Sequence, residues 1–160
     1  MNSVTAFAAC LLSLCILAPA QAESLDLNFP EAISGAAFHL AAQTPRPTLL
    51  AFWRADCPPC LHDMPVLAAF AQQQNTLRVL GISLSSARDT RQQWLRLAMP
   101  FATLINTGFP GELLQYFGNA TQAVPYTVVL RADRSLCWSA LGALSEAQLH
   151  NAWQRCGDVH

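Results

Sequence analysis

An α/β domain with a central mixed β-sheet flanked by helices is the fold class the sequence predicts, on three observations. The apolar run Thr48-Leu49-Leu50-Ala51-Phe52-Trp53 has the length of a buried strand and leads directly into apolar residues at helical spacing. A second apolar run at residues 77–84 follows that helix, so the two strands are expected to pair in parallel through a crossover. Late in the chain, apolar stretches at residues 126–130 and 136–141 flank Ala132-Asp133-Arg134, the pattern of an antiparallel hairpin with a polar turn.

In chain order, the first element is an apolar segment at residues 4–18 that runs into Pro19-Ala20-Gln21-Ala22, a small-x-small pattern of the kind cleaved in secretory signals. Residues 1–22 are therefore expected to be a signal peptide and residues 23–160 a single domain with one core. No Lys or Arg precedes the apolar run, which leaves an uncleaved membrane anchor as the alternative, although the run is short for spanning a bilayer. Cys10 and Cys15 lie within it. Leu14 is a bulky neighbour for Cys15 and Cys10 comes early, so neither fits a lipid-attachment site.

Pro45-Arg46-Pro47 punctuates the chain before the first buried strand. Beyond it, Met64, Val66, Leu67, Ala68, Phe70 and Ala71 predict a helix ending at the polar Gln72-Gln73-Gln74-Asn75, with a kink at Pro65, which lacks an amide hydrogen. Residues 88–98 read as a helix carrying Trp94, Leu95 and Leu97. Residues 101–105 read as a short added strand and 112–117 as a short helix before Gly118-Asn119. Ser145 with Gln148 three residues on forms a capping box for a last helix reaching about Arg155.

Nine basic residues, all Arg, against ten acidic ones leave a formal charge of -1 over 160 residues. That balance provides no electrostatic footprint for nucleic acid or an anionic membrane surface, so partners must be recognised locally. The 52% apolar content supplies a core and argues against disorder.

The chemistry lies in Cys57-Pro58-Pro59-Cys60, at the junction from strand to helix. A sulfur at a helix N-terminus faces unsatisfied amides and the positive end of the dipole, both of which favour a thiolate. Cys57 can then attack a partner disulfide, and Cys60, one turn further on, can resolve the mixed disulfide. Half of a zinc site is the competing reading of such a pair. It requires two more ligands at metal spacing, and Cys137 and Cys156 are neither a close pair nor accompanied by a His cluster.

The segment from Phe52-Trp53-Arg54-Ala55-Asp56 through Cys57-Pro58-Pro59-Cys60 to Leu61-His62-Asp63-Met64-Pro65 resembles the active-site stretch of the thioredoxin superfamily, and most closely its exported TlpA and ResA-type members. The resemblance extends over nearly all of residues 24–160, including a strand and helix inserted before the final hairpin. Val124-Pro125-Tyr126-Thr127 stands where those proteins carry a cis-proline loop. The resemblance implies a thioredoxin-like fold with no cofactor, Cys57 as nucleophile, Cys60 as resolving thiol, and Pro125 shaping the groove for the partner chain. Taken alone, Pro125 also suits an ordinary trans proline opening a strand.

This chain departs from that pattern in two places. The residue before the first Cys is Asp56, whose charge is expected to oppose a Cys57 thiolate and favour a reducing poise. Ala51 occupies the position of the buried acid of thioredoxins proper. Asp63, three residues after Cys60, matches an acidic position of the TlpA and ResA-type proteins and shares a helix face with Cys60, making it the candidate proton relay; a solvated acid favouring the helix dipole is the plainer reading. His62 is assigned no role. Trp53 is expected to pack in the core beneath the thiols.

The function these features predict is a monomeric disulfide reductase of the periplasm or another extracytoplasmic space. It would act on exported proteins, apocytochrome c or damaged substrates among them, and be re-reduced by a membrane thiol transporter. A dithiol oxidase that installs disulfides is the alternative within redox chemistry, and a copper-binding module using the same two cysteines is the alternative outside it. A peroxidase ranks last, because Arg54 stands where a hydroxyl residue would help bind peroxide. Cys137 and Cys156 are expected to form a structural disulfide: a strand of five residues rises about 17 Å, and the returning last helix climbs about 18 Å. The two lengths nearly cancel if strand and helix run antiparallel. Two unrelated thiols are the alternative.

Overall fold

The computed structural model describes residues 27–157. The expected signal segment, with Cys10 and Cys15, lies outside those residues. A five-stranded mixed sheet forms the centre, built from β3 (Thr48–Trp53), β4 (Arg78–Ser83), β5 (Ala102–Ile105), β6 (Tyr126–Leu130) and β7 (Leu136–Leu141), in the order β5-β4-β3-β6-β7. β3 pairs in parallel with β4, and β4 with β5, whereas β6 runs antiparallel to both β3 and β7. The strand β5 and the helix that follows it are the insertion before the final hairpin.

Every residue of β3 is buried, as a central strand covered on both faces requires. Alternation divides the strand between two cores. Leu49, Ala51 and Trp53 face a layer made by α1 (Pro58–Gln73), α2 (Ala87–Leu97) and α4 (Glu146–Cys156). Leu50 and Phe52 face the opposite layer, where α3 (Pro110–Tyr116) contributes Leu114 and the adjoining Phe117. Phe52 lies 5.3 Å from Phe117 and 6.0 Å from Tyr126 between ring centroids.

Helix α1 runs unbroken through Pro65, beyond the first turn. Ser145 caps α4, its hydroxyl accepting from the Gln148 amide while the Gln148 side chain accepts from the Ser145 amide. One feature was not visible in the sequence: a small hairpin, β1 (Asn28–Pro30) against β2 (Ala37–His39), followed by a 3-10 turn at Leu40–Ala42. Three-residue strands are too short to show a period, and this hairpin is held to the sheet at the Glu31 and Leu104 bridge and by the buried Leu27 and Leu40.

Candidate active site

Helix α1 starts where it does because of its first residues. Cys57 is the N-cap in extended conformation, and Pro58 and Pro59 fill the opening helical positions, where an amide would find no intrahelical acceptor. The Cys57 sulfur takes the part a serine oxygen plays in a conventional cap and accepts the Cys60 amide at 3.2 Å. Cys57 and Cys60 are bonded, with their Cα atoms 5.3 Å apart. Cys57 keeps 9% exposure against 1% for Cys60, so an incoming sulfur meets Cys57.

Two walls frame the dithiol. On the sheet side, Trp53 is buried, donates from Nε1 to Thr103 Oγ1 at 3.0 Å, and packs on Trp94 with ring centroids 5.2 Å apart. Gly81 permits this contact, since a Cβ there would stand 2.6 Å from Thr103 Oγ1 and 3.2 Å from Trp53 Nε1. The opposite wall is the Val124-Pro125 peptide, which is cis, with the Val124 carbonyl oxygen 3.9 Å from Cys57 Sγ. Asn119 braces the loop leading into it: its amide group donates to the Ala123 carbonyl at 2.8 Å, and its side-chain oxygen accepts from the Thr121 hydroxyl. Tyr126 closes the brace by donating from its hydroxyl to the Phe117 carbonyl at 2.6 Å. The sequence hinted at this bracing only through the Gly118-Asn119 turn.

Asp63 is only 2% exposed. It lies on the buried face of α1 with Cys60, Met64 and Leu67, so it is not the solvated first-turn acid of the plainer reading. Its Oδ2 accepts the Leu144 amide at 3.1 Å, and its Oδ1 is buried with no hydrogen-bond partner. Burial pushes this carboxyl above the ordinary carboxylate range, opposed by the Leu144 amide and by the charge of neighbouring His62. No local sequence pattern marks the Leu144 amide as its partner.

The structure corrects the expectation for Asp56. The Asp56 carboxylate turns to Arg54, accepting from Nε at 3.0 Å and from the terminal nitrogen at 3.2 Å. This bond lowers the Asp56 carboxyl and raises the Arg54 guanidinium. The charge next to Cys57 in sequence is therefore one half of an exposed ion pair rather than a lone carboxylate. The pair borders a polar cleft of about 390 Å³ that also involves Ser85, Asp89, Gln93 and Arg96.

Cys137 and Cys156 are joined in a second disulfide, Cα atoms 5.8 Å apart, at the opposite end of β7 from the dithiol.

The redoxin family profile matches residues 19–153. This chain belongs to the redoxin family. With a bonded Cys pair at the junction from strand to helix, it is a thiol-disulfide oxidoreductase. No curated protein sequence is similar enough to this redoxin to match it. Solved structures share its fold. A putative thiol:disulfide interchange protein DsbE from Chlorobium tepidum superposes with a TM-score of 0.73 at 14% identity, over 84% of this redoxin and 95% of that chain. The pneumococcal exposed lipoprotein thioredoxin Etrx1 gives 0.69 at 19% identity, over 81% and 99%. A secreted Mycobacterium tuberculosis disulfide oxidoreductase gives 0.65 at 22%, over 79% and 92%. Among the described residues of this redoxin, no helix is long and apolar enough to cross a membrane.

Proposed function

We propose that this redoxin is a disulfide reductase for exported proteins, receiving electrons from a membrane thiol transporter. In the forward reaction the Cys57 thiolate attacks one sulfur of the partner's disulfide and expels the other as a thiolate, which takes up a proton. Cys60 then loses its proton and attacks Cys57 Sγ, releasing the partner's second thiolate, which is protonated in turn. The balance is two electrons and two protons moved from dithiol to partner disulfide. Asp63 is the proton acceptor for the buried Cys60, and the Pro125 loop forms the groove that seats the partner chain beside Cys57. Apocytochrome c suits such an enzyme as one substrate.

The observation that carries the reducing direction is the poverty of donors around Cys57. Pro58 and Pro59 have no amide hydrogen, the Leu61 amide bonds the Cys57 carbonyl at 3.1 Å, and the Cys60 amide alone faces the sulfur from the helix start. A poorly stabilised thiolate holds its electrons less firmly, and a buried carboxyl beside Cys60 adds to that effect once ionised. Export rests on the apolar segment and small-x-small site at residues 1–22, with a mature chain expected to begin at Glu23.

Equilibration of the Cys57 and Cys60 couple with glutathione tests the direction. The reductase reading expects the couple to stay oxidised at glutathione ratios that fully reduce an oxidase of this fold. A couple that is reduced more readily than glutathione disulfide overturns it.

A further inference from the structure

Residues 142–144 join β7 to α4 and touch both sides of the dithiol site. The Gly142 amide donates to the Pro125 carbonyl at 2.9 Å, and the Leu144 amide donates to Asp63 Oδ2 at 3.1 Å. Gly142 can make this turn because its φ is +94°, in the left-handed region open to glycine. The Leu144 side chain is buried in the same core as Cys57, Cys60 and Met64, so the segment is seated by packing as well as by two hydrogen bonds.

The segment is the apex of a covalent ring. Cys137 lies near the start of β7 and Cys156 ends α4, and their disulfide closes strand, turn and helix across a sequence separation of 19. The ring is closed at its base, and its apex bears on the active site.

We infer that the Cys137–Cys156 disulfide is a positioning element of the reaction, holding residues 142–144 against Asp63 and Pro125 from the far end of the sheet and so governing how fast the dithiol is activated. The inference rests on the reading of Asp63 as proton acceptor. With the ring open, the start of β7 and the end of α4 are held together by packing rather than by a bond, and the Leu144 amide is held less firmly opposite a carboxylate whose other oxygen is buried without a partner. Asp63 then loses a donor that favours its charged form, and activation of Cys60 requires a higher pH. The charged and titratable groups on the packed elements are His62 on α1 and Glu146, His150 and Arg155 on α4; His150 sits edge-on to Phe70, and of the four it is His62 whose charge bears on the carboxyl. The ring-opening substitutions replace none of the four, so an altered pH profile that also disappears in Asp63→Asn reports the lost amide.

The test uses the full chain with Cys57 and Cys60 selectively reduced and the second disulfide intact by mass. Oxidation of the dithiol by the chromogenic disulfide dithiobis(nitrobenzoate) is followed against pH and compared with Cys137→Ser combined with Cys156→Ala. The ring-open variant is expected to react about tenfold more slowly on the acid limb, the loss of one hydrogen bond to a charged group, and to rejoin the parent at alkaline pH. Asp63→Asn alone should flatten that limb, and adding the ring-opening substitutions to it should change nothing further. A ring-open variant with the parent's pH profile and merely lower thermal stability overturns the inference. An Asp63→Asn profile identical to the parent's overturns the reading beneath it instead. Should the ring-open variant fail to fold, hydrogen exchange at the Leu144 amide before and after chemical reduction of the second disulfide decides the matter: unchanged protection refutes the inference.

Discussion

The two disulfides of this protein have the same chemistry and opposite surroundings. Cys57–Cys60 spans three residues at a helix start, with one sulfur partly open and a carbonyl and an amide within reach of it. Cys137–Cys156 spans nineteen residues between the start of a strand and the end of a helix, with Cys156 at 3% exposure and Cys137 partly exposed. The first bond closes a short loop at a helix start, where its sulfur meets an amide and the cis-proline loop; the second closes a long loop from strand start to helix end, where a cross-link constrains the unfolded chain. Residue placement, rather than the bond, separates an electron carrier from a staple.

Five variants break or sharpen that contrast. Cys57→Ser should abolish reduction of a model disulfide, while Cys60→Ser should accumulate mixed disulfides visible on non-reducing gels, because the resolving thiol is lost. Cys137→Ser with Cys156→Ala should leave the dithiol reactive at alkaline pH but lower unfolding stability by about 3 kcal/mol, the entropy of a loop of this size, measured by urea denaturation. If that variant instead loses all exchange, the staple and the carrier are not separable.

Asp63→Asn should slow exchange near neutral pH by about 10²-fold, the usual contribution of a positioned proton acceptor. It should also change how stability depends on pH. The Asp63 carboxyl is raised in the folded state, so its stabilising effect is complete below the ordinary carboxyl range and is lost as pH rises through the raised value. Thermal midpoints of the parent should therefore fall relative to those of Asp63→Asn as pH climbs above about 4. Parallel curves would show that Asp63 does not titrate in this window. The smallest effect is expected from Arg54→Gln, which leaves Asp56 unpaired beside Cys57 and should shift thiolate formation, followed by its ultraviolet absorbance, to higher pH. The direction is set by the sign of the uncovered charge and the size is limited by solvent, since both side chains are exposed.

Much of this was legible in the sequence, for identifiable reasons. β3 and β4 are runs of apolar residues bounded by polar ones, and the Cys pair between strand and helix fixed its own neighbourhood. The Ser145 and Gln148 box announced α4, and the length match between β7 and α4 placed Cys156 beside Cys137. The insertion was legible from Phe101 to Phe117 as well. What escaped depended on contacts distant in sequence. Asp63 meets an amide 81 residues away, and no local pattern encodes that meeting. The Asp56 expectation treated the acid alone, whereas Arg54, two residues earlier, holds it in a fork-like bond. The β1–β2 hairpin escaped because its strands are shorter than a period.

The contact of Trp53 with Thr103 over Gly81 also has a consequence for how this sequence can diverge. It ties β3 to β5 across the strand between them, so three positions on three strands constitute one unit of variation. A methyl group at position 81 would stand 2.6 Å from the Thr103 hydroxyl and 3.2 Å from the indole nitrogen of Trp53, so it is tolerated only if Thr103 loses that hydroxyl, and with it the indole its acceptor. Among descendants of this chain, change at any one of the three should therefore be found together with change at another, and the inserted strand should be lost only in chains that have also replaced the tryptophan beneath the dithiol.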